Sequence, residues 1–288
     1  MTEPLRAWLD RATAQLSGAG VATPRADALL LAGHVLDADR GEVERRALLG
    51  HELPAEAAAP LEALLTRRAR REPLQHLTGV APFRRLELAV GPGVFVPRPE
   101  TEGTAGLAIA AARSAGQAPV VVDLCTGSGA IALAVADEVP GARVHAVELD
   151  PDANAWAQRN RERTSLPVDL RLGDATTALT ELDGTVDVVV ANPPYIPDGM
   201  VPREVEVRDH DPHVALFGRS ADGLAVPLAV ADRAGHLLRQ GGRLVMEHAD
   251  SQGESLPQAL RDAGWLEVRD HLDLADRPRT VTATAPAR

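Results

Sequence analysis

Lysine is absent from the 288 residues, cysteine and tyrosine occur once each, and phenylalanine and tryptophan three times each. The lone cysteine, Cys125, excludes an internal disulfide and gives no zinc-ligand cluster. An aromatic share of 2% leaves few rings for stacking on nucleic-acid bases. Positive charge is also in deficit. Thirty basic against 41 acidic side chains give a net charge of −11, which argues against non-specific nucleic-acid binding as the main activity. The missing lysine, beside plentiful Ala, Arg and Pro, reads as compositional bias more than function. No apolar run approaches the roughly 20 residues of a membrane helix. The opening stretch, MTEPLRAWLDRATAQL, is amphipathic and charged, with no apolar signal core. A soluble, cytoplasmic protein with no membrane partner is expected. What remains is an ordinary globular balance, 45% hydrophobic and 25% charged, in a chain long enough for a large domain plus a small one.

Residues 1–72 read as helices only. Leu5, Leu9, Ala12 and Leu16 recur at helical spacing until Gly18 and Gly20 stop the run. Thr23-Pro24 has the form of an N-cap with proline at the first helical position, opening Arg25 to Leu36. Gly41 to Leu49 is a shorter helix, and Pro54 opens another that ends in Arg67, Arg68, Arg70 and Arg71. That cluster is either a solvated helix end or a basic contact for RNA or an acidic partner surface. Residues 73–100 are dense in Pro and Gly, and FRRLELAV alternates like a strand pair, so this stretch reads as a packed β-hairpin linker.

A helix from Thr101 to Ala112 follows, and from Pro119 strands alternate with helices. VVVDL is a buried strand followed by a glycine turn and an alanine-rich helix; ARVHAVELD is a second strand, VDLRLGD a third and Val186 to Val190 a fourth. A helix from Ala221 to Arg239, a strand RLVMEH, a helix from Ser255 to Ala263 and two closing strands complete the pattern. It implies an α/β fold with a doubly wound, mostly parallel sheet and an antiparallel edge.

Chemistry gathers where those strands end. The turn Asp123-Leu124-Cys125-Thr126-Gly127-Ser128-Gly129 lets a ligand lie on bare backbone at a helix N-terminus. A glycine turn alone also suits a nicotinamide-binding fold. Its spacing, D-x-x-x-G-x-G, leaves room for an amino-acid moiety in place of a pyrophosphate. Glu148, ending the second strand, can take both hydroxyls of a ribose through its two carboxylate oxygens. Asp174, ending the third, can accept from an adenine amino group. Each acid alone suits a helix cap or a surface; three after successive strands point to a nucleoside site. The fourth strand runs into Asn192-Pro193-Pro194-Tyr195. Two prolines fix the backbone and remove two donors, leaving the Asn192 side chain and the Pro193 carbonyl as acceptors beside the only tyrosine. That combination suits a planar group carrying an NH₂. His76, His210, His213 and His248 have no metal-ligand spacing and read as surface or loop residues.

The turn, the acid after the second strand and the NPPY loop together resemble class I S-adenosylmethionine-dependent methyltransferases that act on an amino nitrogen. EPLQHLTG, FVPRPETE, DLCTGSGAIAL, NPPYIP and EHADSQGE, in this order behind a helical region, resemble the HemK/PrmC family of protein-(glutamine-N5) methyltransferases. The likeness runs through nearly the whole chain. NPPY is shared with adenine methyltransferases, whereas FVPRPETE joined to the helical region is specific to this family.

The resemblance implies a Rossmann-like methyltransferase domain over 101–288, preceded by a helical domain over 1–72 that recognises the protein substrate. It implies S-adenosyl-L-methionine as cofactor and the Gly-Gly-Gln loop of peptide chain release factors as partner, with no direct nucleic-acid partner. Asn192, Pro193, Pro194 and Tyr195 would bind the substrate glutamine, with Asn192, Pro193 and Tyr195 acting in the transfer. Asp123, Cys125, Thr126, Gly127, Ser128, Gly129, Glu148, Asp174, Ala175 and Asn192 would line the cofactor site. Cys125 stands where the family often has glycine, Ala175 where some members carry an aromatic, and Glu148 where some carry aspartate. The alternatives are an adenine-N6 methyltransferase of DNA or RNA, and an inactive module that only docks on a partner.

Overall fold

The computed structural model describes residues 3–286. Two compact units emerge: the chain up to Val80 together with Pro202–His210, and Ala81–Val201 together with Asp211–Arg288.

The first unit is helical: α1 (Leu5–Gly18), α2 (Pro24–Leu36), α3 (Arg40–Leu48), α4 (Ala55–Ala69), α5 (Leu74–Thr78) and, much later in the chain, α9 (Val205–His210). The apolar stripe of α1 is buried with Trp8, against Leu29 and Leu31 of α2 and Leu61 and Leu65 of α4. Pro24 takes the first position of α2, but Thr23 makes no side-chain cap; its hydroxyl donates to Asp27 Oδ1 at 2.8 Å. Asp39 caps α3, accepting from the Glu42 N–H at 2.8 Å.

The arginine cluster is largely spent inside this unit. Arg68 is 6% exposed and donates to Asp27 Oδ2 at 2.7 Å and to Glu206 Oε1 at 2.8 Å. Arg71 takes both Glu206 oxygens, and Arg67 pairs with Glu72. A free basic face is therefore not what these residues form. They clasp α9, a segment that the hydropathy pattern leaves within 101–288. Burial alone would raise the Glu206 carboxyl, but Arg71 and Arg68 bring it down to about 2. Its contribution to stability is complete above the ordinary carboxylate range and is lost as pH falls toward 2. Removing Arg68 leaves the buried Asp27 carboxylate without a cation and takes one of the two arginines from Glu206, which keeps Arg71. Arg68→Met is accordingly expected to destabilise the first unit by about 3–5 kcal/mol, read in urea denaturation at neutral pH.

The second unit opens with a separate hairpin of β1 (Val80–Phe83) and β2 (Leu86–Ala89), followed by α6 (Thr101–Ala115). Then come β3 (Val120–Leu124), α7 (Ala130–Glu138), β4 (Arg143–Glu148), α8 (Pro151–Thr164), β5 (Val168–Leu172), β6 (Val186–Ala191), α10 (Ala225–Leu237), β7 (Leu238–Glu247), α11 (Ser255–Asp262), β8 (Leu266–Leu272) and β9 (Pro278–Thr284). The seven-stranded sheet has the order β5-β4-β3-β6-β7-β9-β8. Its first five strands are parallel, and β9 and β8 close it as an antiparallel edge. This is the doubly wound sheet that the alternation of elements predicts.

Side-chain alternation divides the core. Val121, Val188 and Val190 pack with α6, α7 and α8; Val122, Leu124, Val189 and Ala191 pack on the other face with α10 and α11. Continuous valine runs fit strands covered on both faces. The last helix before β7 is shorter than the predicted Ala221–Arg239. Leu238 already pairs with Val186, and the register then jumps to Arg243 opposite Val188, so the intervening glycines bulge out of the strand. Among the described residues no helix is long and apolar enough to cross a membrane, and no cluster of ligating side chains could hold a metal ion.

Candidate active site

Strands β5, β4, β3 and β6 end along one edge of the sheet. Leu124 lies beside Val147 on one side and Ala191 on the other, and Glu148 lies beside Leu172. β3 leads to β4 in one direction and β6 adds in the opposite one, so a crevice opens between the turns that follow β3 and β6. The tertiary fold thus brings the 125–129 turn, Glu148, Asp174-Ala175 and Asn192–Tyr195 to a common edge.

The turn after β3 needs left-handed backbone at three positions: Cys125 (φ 67°), Gly127 (φ 58°) and Gly129 (φ 85°). A Cβ on Gly129 would press on Leu133 Cδ1 at 3.2 Å, whereas around Gly127 there is open space within 4 Å. Gly127 therefore has uncovered backbone on that side, and Gly129 lets α7 start close to α8. Cys125 adopts a conformation that costs a glycine nothing, which explains why a glycine suits that position. Burial pushes its thiol well up, so it sits in the turn as a neutral group.

Asp123, grouped above with the cofactor residues, has no exposed surface. Its Oδ2 accepts from the Thr126 hydroxyl at 2.6 Å and the Ala132 N–H at 3.0 Å, so it shapes the turn and the start of α7 from beneath. Its Oδ1 is buried, with no hydrogen-bond partner among the described residues. Burial raises this carboxyl to about 7, against the pull of Thr126 and Ala132. An acid with a raised folded-state pKa favours the fold at low pH, and that benefit disappears as pH rises through about 7. Asp123→Asn keeps an acceptor for Thr126 and Ala132 without the buried charge. Its melting midpoint, relative to the parent, is expected to rise between pH ~5 and ~8.5. A constant difference across that range would mean that Asp123 does not titrate there.

Glu148, 9% exposed, receives the Gly127 N–H on Oε2 at 2.7 Å and the Asp150 N–H on Oε1 at 2.8 Å. Burial raises its carboxyl, and those backbone donors pull it back. Each oxygen keeps a second lone pair, so both can still accept from a diol. Asp174 is exposed and accepts from the Thr176 N–H and hydroxyl, while Ala175 beside it is buried. Asn160, fully buried on α8, ties the Ser128 carbonyl to the backbone of Ala89. Its position inside a polar helix sequence gave no sign of that role.

Asn192 follows β6 directly. Its Nδ2 donates to Glu247 Oε1 at 3.0 Å and to Thr101 Oγ1 at 3.4 Å. No described residue donates a hydrogen bond to its Oδ1 or to the carbonyl of the buried Pro193. Tyr195 donates its hydroxyl to Glu247 Oε1 at 3.4 Å, and its carbonyl accepts from Gln252 Nε2 at 3.0 Å. Burial and the Glu247 carboxylate raise the phenol well above its usual range, so it stays protonated. Glu247 and Gln252 belong to EHADSQGE, which the sequence offers only as a motif without a chemical part. His248, expected at a surface or in a loop, is fully buried, with Nδ1 2.8 Å from the Ala249 carbonyl and Nε2 2.8 Å from Asp270. Arg98 of FVPRPETE pairs with Asp211 at 2.7 Å, where the chain re-enters the second unit.

Residues 7–79 match the family described as the PrmC N-terminal domain, and residues 85–206 match the methyltransferase small domain. The release factor glutamine methyltransferase of Streptomyces coelicolor is 51% identical, over 97% of this chain and 97% of that protein. Its counterpart in Mycolicibacterium smegmatis is 48% identical over 99% of each. A 4-amino-L-phenylalanine/4-methylamino-L-phenylalanine methyltransferase of Streptomyces pristinaespiralis is 41% identical over 89% of this chain and 87% of its own length. Among solved structures, a methyltransferase from Pyrococcus furiosus covers 70% of this chain and 90% of its own, with 18% identity and a TM-score of 0.51, a likeness of fold. Similarity of this degree along nearly the whole sequence, at both the helical and the catalytic ends, means that the chain belongs to the release factor glutamine methyltransferase family.

Proposed function

We infer that the enzyme transfers a methyl group from S-adenosylmethionine to the side-chain amide nitrogen of the glutamine in the Gly-Gly-Gln loop of a peptide chain release factor. The observation that carries this reading is the Asn192 amide. Both its N–H bonds are spent on Glu247 and Thr101, so its oxygen is left as a free acceptor in the loop that follows β6, next in sequence to Pro193. Two acceptors held by a proline-stiffened loop match the two N–H bonds of a primary amide.

The chain also fits the cofactor. Gly127 offers open backbone for the amino-acid end, and Glu148 keeps lone pairs for two ribose hydroxyls. Asp174 lies one strand further along the same edge, toward an adenine. When bound, S-adenosylmethionine supplies an electrophilic methyl on a sulfonium sulfur.

A glutamine amide is a poor nucleophile because its lone pair is delocalised into the carbonyl. Asn192 and Pro193 accept its N–H bonds and turn the lone pair out of conjugation, toward the methyl donor. The same two oxygens stabilise the positive charge that grows on nitrogen. Tyr195, anchored at its hydroxyl and its carbonyl, packs on the amide plane and excludes water. Glu247 is the only carboxylate among the described residues that contacts this loop, and its oxygens are occupied by protein donors. The nitrogen proton therefore leaves to solvent after transfer, when the alkylated amide is strongly acidic.

The 41% identical relative that acts on 4-amino-L-phenylalanine gives a second reading. An arylamine nitrogen, like an amide nitrogen, gives its lone pair to a flat π system. Recognition of a whole release factor falls to the first unit in our reading, where Leu48 is 79% and Leu49 62% exposed at the end of α3.

The test supplies labelled S-adenosylmethionine with release factor, a Gly-Gly-Gln peptide, 4-amino-L-phenylalanine and an adenine-containing oligonucleotide in parallel. Label is expected on the glutamine of the release factor, located by peptide mapping. Label confined to the arylamine or the oligonucleotide would remove this assignment. In the same assay Leu48→Ser with Leu49→Ser is expected to raise KM for release factor several-fold, with the peptide unaffected. Equal losses on both would place recognition elsewhere.

A further inference from the structure

Glu247 ends β7, is 2% exposed, and is carried beside Asn192 by strand register, since Ala191 pairs with Met246. Among the described residues its hydrogen-bond partners are one amide N–H and hydroxyl groups. Oε1 accepts from Asn192 Nδ2 at 3.0 Å and the Tyr195 hydroxyl at 3.4 Å; Oε2 accepts from the Thr104 hydroxyl at 3.2 Å. Thr104 in turn shares a 2.7 Å hydrogen bond with Thr280 on β9, the strand partner of Glu247. This is a built polar cluster under the NPPY loop, assembled from α6, β6, β7 and β9.

We propose that Glu247 is a positioning residue for methyl transfer: it fixes which end of the Asn192 amide meets the substrate. The inference rests on the reading of Asn192 as an acceptor for the substrate nitrogen. An asparagine amide is nearly symmetric in shape, so packing alone does not choose between its oxygen and its NH₂. A carboxylate does choose, because in its ionised form it can only accept; burial raises the Glu247 carboxyl, and the Thr101 and Thr104 hydroxyls and the Arg279 charge pull it back toward that form. With Glu247 beneath it, a flipped Asn192 would set its Oδ1 against a carboxylate oxygen and its NH₂ against the N–H bonds of the incoming amide. The Glu247 carboxylate disfavours that arrangement. Gln252 completes the support from the same motif, joining the Tyr195 carbonyl to that of Asp222 while accepting from the Ala249 N–H.

Glutamine at 247 has the same shape but both a donor and an acceptor. It would permit a mirror arrangement in which its own NH₂ donates to Asn192 Oδ1 and the Asn192 NH₂ faces the substrate. A double-mutant cycle separates this role from general structural support. Single-turnover methylation of release factor, with cofactor saturating, would be measured for the parent, Glu247→Gln, Asn192→Ala and the pair.

Glu247→Gln is expected to slow transfer by about ten-fold, with cofactor affinity and melting midpoint close to the parent. In the Asn192→Ala background the same substitution is expected to cost nothing further. An equal loss in both backgrounds would show that Glu247 acts independently of Asn192 and overturn the proposal. An Asn192→Ala enzyme as fast as the parent would overturn the underlying functional reading and this proposal with it.

A swap gives a second measurement that does not depend on the cycle. Asn192→Asp alone places two carboxylates in the 3.0 Å contact, whereas Asn192→Asp with Glu247→Gln restores an N–H···O bond of reversed polarity. The double variant is expected to outpace Asn192→Asp by several-fold and to melt higher. If it does neither, the polarity of this contact does not govern the loop, and the proposal falls.

Discussion

Asn192→Ala is expected to lower single-turnover methylation of release factor by roughly 10²–10³, the scale for deleting one preorganised polar group that acts on transition-state charge. The substitution leaves both prolines, and Tyr195 keeps its hydrogen bonds to Glu247 and Gln252, so the loop should still form. What disappears is one of two oxygens that turn the amide lone pair and face its growing positive charge. Cofactor affinity should change little. Asn192→Asp does not rescue the alanine variant in this reading, because the new carboxylate faces Glu247 across a 3.0 Å contact. One of the two must then be protonated or displaced. Rapid-quench measurement with saturating cofactor reports this step without the contribution of product release. Turnover of the alanine variant within a few-fold of the parent would reduce NPPY to a rigid turn.

Glu148→Ala is expected to weaken S-adenosylmethionine binding by about 10²–10⁴-fold. Two charge-assisted bonds to ribose at roughly 1.5–3 kcal/mol each set that range. The structure adds a second reason for a large effect. The carboxylate also holds the Gly127 and Asp150 N–H groups, so its loss loosens the turn that the cofactor would lie on. Glu148→Gln separates the contributions. A glutamine accepts from one of those two N–H groups and opposes the other with its own NH₂, so it should fall between parent and alanine. Calorimetric titration of S-adenosylmethionine on the three proteins provides the comparison. Equal affinities would take Glu148 out of the site, and a glutamine variant as weak as alanine would point to the ribose contact alone.

Local sequence determined a large part of this protein. Valine runs closed by Gly or Pro specify buried strands, the alternation with helices specifies a parallel sheet, and the strand ends therefore carry the turns to which we assign cofactor and substrate. The place of Cys125–Gly129, Glu148 and Asn192–Tyr195 at one edge of the sheet was legible because each is contiguous with the strand that positions it. Asp123 was legible as a motif position but not as a buried support, since a sequence does not tell to which face of its strand an acid turns until the register is known.

Tertiary structure alone decided the rest. Arg67–Arg71 read as a possible partner surface because their counter-charges are far away along the chain. Arg68 meets Asp27 and Glu206, the latter 138 positions on, and becomes a buried ion-pair centre. The short helix Val205–His210 carries no pattern that detaches it from its neighbours, yet it packs with the first unit through that same Glu206. Glu247 lies 55 positions from Asn192, and only the pairing of β6 with β7 sets them side by side. Periodicity and turn chemistry are local quantities, and they fix elements and the residues at their ends. The partner of a buried charge and the orientation of an amide are fixed by groups brought together from distant segments, and no local pattern records those.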